Sequence, residues 1–104
     1  MSYRILTTEA FENSLNKLDN SIKIKIAKEI EHIKINPYSG KHLGYKFFRE
    51  KKINNYRIYY LIYDDYVAVF LIEISDKKTP QSIINNIKIK FSYYLNIIKE
   101  RFKV

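Results

Sequence analysis

The spacing of apolar positions changes several times along the chain, and each change marks an element. Tyr3–Leu6 is a short apolar-polar stretch closed by Thr7 and Thr8, and it reads as a strand followed by a helix cap. Phe11, Leu15 and Leu18 then fall at i, i+4 and i+7, one face of a short helix, with Glu9 suited to its positive end. Asp19, Asn20 and Ser21 break the pattern. Ile22, Ile24 and Ile26 alternate as a strand would, but Ile22, Ile26, Ile30 and Ile33 make the longer helical stripe. A helix over about 21–35 follows, stopped at Asn36–Pro37 because the residue before proline avoids the helical region. The two helices form a hairpin.

Asn36–Pro37–Tyr38–Ser39–Gly40 is a turn cluster. Three strand-like runs follow it, Tyr45–Lys52, Asn55–Tyr63 and Tyr66–Ile74. Ile53–Asn54 and Asp64–Asp65 join them, short enough for antiparallel hairpins, so the runs predict a three-stranded meander. After the polar Ser75–Lys78, Thr79–Pro80 starts a helix. Its stripe of Ile84, Ile87, Phe91, Tyr94, Leu95, Ile98 and Phe102 predicts one extended helix over about 79–102. That stripe closes on its own sheet, on a second protomer or on a partner. The fold class is α+β: strand, helical hairpin, three-stranded antiparallel meander, C-terminal helix. The length of 104 residues supports a single domain, 1–104.

Composition narrows the function. There is no cysteine, hence no disulfide, thiolate metal site or cysteine nucleophile. His32 and His42 offer no zinc-ligand spacing. Glycine stands only at 40 and 44, so neither a dinucleotide fingerprint nor a Walker loop is present. No cofactor is expected. The apolar run Tyr66–Ile72 is far short of the roughly 20 residues a membrane helix needs, and Met1–Arg4 has no signal-peptide core. A cytoplasmic protein without a membrane partner is the expectation. Nineteen Lys and Arg stand against eleven Asp and Glu, and a net charge of +8 favours an anionic partner.

Residues two apart in a strand share a face, so Arg49 and Lys51 point one way with Phe47, and Arg57, Tyr59, Leu61 and Tyr63 share a face of the next strand. Lys77 and Lys78 follow the last strand. A meander brings these regions to one sheet, as a cationic surface with Tyr59 or Tyr63 available to stack bases. The other reading is a solvated face in which Glu50 and Glu73 neutralise the cations and the tyrosines pack across strands. The remaining cations, many of them on the helix over 21–35, are assigned to a solvated or ribosome-facing periphery.

The element order, with NPYSG at Asn36–Gly40 and YRIYY at Tyr56–Tyr60, resembles the RelE/ParE superfamily of toxins from type II toxin–antitoxin modules. The stretches FFREKKINNYRIYYLIYDD and ISDKKTPQSIINNIK look like an archaeal branch. The resemblance implies a metal-independent endoribonuclease that cuts messenger RNA on the ribosome, inhibits translation and is held inactive by a cognate, acidic antitoxin. It also implies roles. Arg57 matches the arginine of the family's YRI strand and Lys77 its second catalytic arginine, while Arg49 and Lys51 are the nearest matches to the lysines of the first meander strand. Lys46, Lys52, Lys78 and Tyr59 are the expected RNA contacts. Two positions depart from the pattern: Ile83 stands where the family often has a catalytic tyrosine, and Asp76–Lys77 where it often has His-Arg. The alternatives are a ParE-like gyrase inhibitor, and a non-catalytic RNA- or protein-binding module dimerising through the C-terminal helix.

Overall fold

A computed structural model describes residues 2–76 and 80–103. Five strands, β1 (Arg4–Thr7), β2 (Lys41–His42), β3 (Phe48–Ile53), β4 (Tyr56–Tyr63) and β5 (Ala68–Asp76), form one sheet in the order β1-β5-β4-β3-β2. β3, β4 and β5 are the expected antiparallel meander, and β1 lies parallel to β5. β2, between the expected turn cluster and the first expected strand run, pairs antiparallel with the start of β3 through Lys41↔Glu50 and His42↔Arg49.

α1 (Glu9–Asn16) and α2 (Asn20–Ile35) form the helical hairpin. Thr8 caps α1 by accepting from the Phe11 amide at 2.9 Å, and its hydroxyl donates to the Ile72 carbonyl at 2.7 Å. Asp19 caps α2 by accepting from the Ile22 amide at 3.1 Å. Phe11, Ile26 and Ile33 pack with Ile58, Tyr60, Ile62, Val69 and Leu71 on one face of the sheet.

The C-terminal stripe closes on the other face. Ile87, Tyr94 and Ile98 pack with Phe48, Tyr59, Leu61, Phe70 and Ile72. Its helix is not the single one expected: α3 (Pro80–Ile89) and α4 (Phe91–Arg101) meet at Lys90, whose φ of −100° and ψ of 12° leave the helical path. No proline or glycine marks the break. Packing accounts for it, because Phe91 sits edge-on to Phe48 at 5.5 Å and to Tyr45 at 5.2 Å, while Ile89 is left exposed. Because helices cover both faces, every residue from Ile58 to Ile62 is buried.

The turn at Asn36–Gly40 is pinned from below. The Tyr60 hydroxyl donates to the Pro37 carbonyl at 2.6 Å, fully buried. Gly40 lies against that hydroxyl, and a Cβ there would also come within 2.7 Å of the Glu50 carbonyl oxygen. At the sheet's other end, Asp64 accepts from the hydroxyls of Tyr38 at 2.5 Å and Tyr3 at 2.7 Å. Those bonds hold the Asp64 carboxyl below the usual carboxylate range.

Tyr60→Phe leaves the Pro37 carbonyl unpaired, which costs about 1–3 kcal/mol and lowers Tm by several degrees in a thermal melt. Burial pushes the Tyr60 phenol up to about 12, and burial with the Asp64 bond does the same for Tyr38, also to about 12. A folded value above the ordinary value of 10 means stability that is complete below pH 10 and lost as pH rises through 12. Burial likewise raises Tyr63 and Tyr94, and the Asp64 bond raises Tyr3, so an ultraviolet titration should show a group of late-ionising tyrosines coincident with alkaline unfolding. Ionisation of every tyrosine at the ordinary pH would contradict this.

Candidate functional site

The register of β3 against β4 decides which cations meet. Lys51 stands opposite Ile58 and Lys52 opposite Arg57. Directly paired residues share a face. Arg49 and Lys51 therefore face the helical hairpin, and Arg57 faces α3 and α4. The single cationic surface expected from Arg49, Lys51 and Arg57 is thus split between two faces.

The first pair is engaged with the turn. Arg49 donates from Nε to the Lys46 carbonyl at 2.9 Å and from Nη1 to the carbonyls of Gly40 at 2.9 Å and Tyr38 at 3.3 Å. Its guanidinium also lies 5.1 Å from the centre of the Tyr38 ring. Lys51 donates to the Ser39 hydroxyl at 3.2 Å and pairs with Glu29 of α2 at 3.5 Å. Tyr59, expected to stack bases, is fully buried, and its hydroxyl accepts from Ser75 at 3.2 Å. Paired with Glu50 on β3, it turns inward and packs with Phe48, Leu61 and Ile87 beneath the helices that cover that face. Lys46 is exposed, 5.4 Å from the Tyr38 ring. Lys77 and Lys78 lie outside the described residues.

On the α3 face the structure brings Lys52 and Arg57 together with Glu50. Arg57 Nη1 is 3.7 Å from Glu50 Oε2, with the Glu50 side chain only 9% exposed and that of Arg57 26%. Among the described residues, neither Glu50 Oε2 nor Arg57 Nε has a hydrogen-bond partner. The ion pair answers the sequence reading of Glu50 as a neutralising partner. The two unpartnered atoms are themselves shielded from solvent, beneath the surface that a substrate would touch. Lys41, opposite Glu50 on β2, brings an exposed cation to the same face. Lys41 is not singled out in the sequence, where Glu50 reads as a counter-ion. Alternation of Phe48, Glu50 and Lys52 against Arg57 was the available signal, once the turn is placed at Asn54–Asn55.

The charge surplus belongs to this region and not to the helical hairpin. Residues 9–35 balance five lysines with five carboxylates, whereas residues 41–57 set six cations against Glu50 alone. A cavity of about 400 Å³ lies at the far end of β4, lined by Leu61, Tyr63, Tyr66, Phe91 and Leu95 among others, with no cation in its walls.

The five-stranded mixed sheet with helices on both faces matches the fold of solved RelE toxin structures. A mutant of the E. coli toxin RelE in the free state has a TM-score of 0.72 at 21% identity, covering 85% of this chain and 97% of that one. The archaeal RelE–RelB complex from Pyrococcus horikoshii OT3 gives 0.65 at 11% identity, over 76% of this chain and 99% of that one. The toxin chain of the intact E. coli RelBE toxin–antitoxin complex gives 0.68 at 21%, over 74% and 99%. Bacterial and archaeal relatives share the fold alike, so it does not single out an archaeal branch. The family described as "ParE toxin of type II toxin-antitoxin system, parDE" matches residues 5–79, and the chain belongs to it. No curated protein matches the chain in sequence.

Replacing Glu50 or Arg57 singly by Gln leaves the other charge half-buried and unpaired. Each single variant should unfold at lower urea concentration, and the double variant should recover part of the loss. A double-mutant cycle should return a coupling of about 1 kcal/mol; strict additivity would show that the two charges do not interact.

Proposed function

We propose that the chain is a toxin that cuts messenger RNA on the ribosome and is held inactive by a cognate antitoxin. The observation that carries this reading is the Glu50–Arg57 pair, flanked by the exposed Lys52 on the same face. Such a group matches what cleavage by an internal 2′-hydroxyl needs. The Glu50 carboxylate accepts the proton of the 2′-hydroxyl. The 2′-oxygen attacks the adjacent phosphorus, and Arg57 with Lys52 stabilises the extra negative charge that develops there. The bond from phosphorus to the 5′-oxygen breaks, and that oxygen takes a proton from a lysine of the site or from water. The products are a 2′,3′-cyclic phosphate and a 5′-hydroxyl. Arg57 holds its proton throughout, so its part is charge stabilisation.

Arg49 and Lys51 enter this reading as the groups that hold the Asn36–Gly40 turn against β3. Lys77 and Lys78, which follow β5 in sequence, are further proposed cations of the site. Ile83, standing where the family often has tyrosine, packs against the second core. The proposal therefore assigns proton acceptance to Glu50. Ile83, with the ParE description of the matching family, also favours a second reading: a non-cleaving toxin that inhibits gyrase.

Induced expression should arrest growth and give cuts within ribosome-bound messages by primer extension. Arg57→Ala should lower cleavage about 100-fold or more, and Glu50→Gln by a similar factor, without unfolding the chain. Arrest without cuts, together with inhibited supercoiling by gyrase, would replace this reading with the second.

A further inference from the structure

With Tyr59 buried, the basic face needs another aromatic surface if it is to hold a base. Two large aromatic residues are well exposed, Tyr45 at 44% and Tyr93 at 60%. Tyr93 lines a groove whose walls include the carboxylates of Glu9 and Glu73, a poor setting for a polyanion. Tyr45 sits among cations. It lies in the turn between β2 and β3, where the Phe48 amide donates to its carbonyl at 3.1 Å. Gly44, at φ 90°, supplies the left-handed residue that this turn requires. Its ring is braced by Phe47 at 5.3 Å and edge-on by Phe91 at 5.2 Å. Lys88 Nζ stands 5.9 Å from the ring centre.

Tyr45 is also in line with the site. Phe48, Glu50 and Lys52 share one face of β3. Lys52 to Phe48 spans about 13 Å at the rise of a strand, and Phe48 touches Phe91, which touches Tyr45. Lys41 stands beside Glu50, between the two ends. Phe48 and Glu50 are buried, so an RNA strand would follow the exposed edge beside them, at Lys41 and His42. With stacked bases repeating about every 3.4 Å, a span of that length covers more than one nucleotide. Glu50 is the only carboxylate between Lys41 and Lys52.

We infer that Tyr45, with Lys88 and Lys41, is a base-stacking subsite for single-stranded RNA that leads away from the Arg57 site along the β2–β3 edge. The inference rests on the RNA-cleaving reading and names the part of the surface that holds the flanking strand. Tyr45 supplies a braced ring face that stacks a base without regard to its identity. Lys88 and Lys41 neutralise the phosphates on either side of it.

The test is binding of a fluorescein-labelled, 2′-O-methylated oligoadenylate decamer to the full chain, followed by anisotropy. Tyr45→Leu keeps the apolar contact with Phe47 and Phe91 but has no ring face, and it should bind about tenfold more weakly. Tyr45→Phe should bind within about threefold of the parent. A decamer of abasic riboses should bind the parent as weakly as the intact decamer binds Tyr45→Leu, and should lose nothing further with that variant. Lys88→Gln should lower the slope of log affinity against log salt by about 0.7. Thermal melts of the variants matching the parent would tie these losses to the surface. Unchanged binding by Tyr45→Leu, with binding weakened by Arg57→Gln, would overturn the subsite and leave the RNA reading standing. Absence of RNA binding by the parent would overturn both. Loss of an acidic protein partner by Tyr45→Leu, with RNA binding intact, would overturn the subsite in favour of a protein surface.

Discussion

The two-residue turn at Asn54–Asn55 sets the identity of both faces of the sheet. Asn54 takes a φ of 53°, a conformation asparagine tolerates better than most residues, and the turn pairs Ile53 with Tyr56. Every later pair in β3 and β4 follows from that. A slip of one residue would carry Arg57 to the hairpin side and turn Ile58 and Tyr60 away from the core they fill. The packing forbids the slip, since both faces of β4 are buried. The turn and the core therefore select the same register, and that register places Glu50, Lys52 and Arg57 together.

The same register explains how so many cations are accommodated on a narrow sheet. Arg49 and Lys51 face the Asn36–Gly40 turn and satisfy its carbonyls and the Ser39 hydroxyl. Tyr60 closes the turn from the core side. The NPYSG sequence is thus a docking device: proline ends the helix, Tyr38 reaches Asp64, Ser39 meets Lys51, and Gly40 admits the Tyr60 hydroxyl. Two kinds of cation stand side by side along β3, one kind tying backbone together and the other facing outward beside a carboxylate.

Much of the fold was legible in the chain because its signals were local. The cap at Thr8, the break at Asp19–Ser21, the stripe of Ile22, Ile26, Ile30 and Ile33, and the stop at Pro37 are short-range chemistry, and they hold. The parallel placement of β1 beside β5 and the pairing of Lys41–His42 depend on distant residues, so no local pattern declared them. The break at Lys90 was hidden for a similar reason: it follows from where Phe91 packs, and the apolar stripe passes through it unchanged. The place of Arg57 on the second meander strand could be read from its spacing. Assigning Arg49 and Lys51 to its company could not succeed without the register, and Tyr59 was misplaced because a tyrosine on a strand reads alike whether a helix covers it or not.

The balanced charges of the helical hairpin have a consequence for approach. One layer of the molecule carries no net charge, while the cations concentrate toward β2, β3 and the C-terminal helices. Such a body has an electric dipole as well as a surplus. In the field of a polyanion it experiences a torque before it makes any contact, turning the Lys41–Arg57 edge forward and the hairpin to the rear. Diffusional encounters are then oriented on arrival, so fewer are wasted on the wrong face.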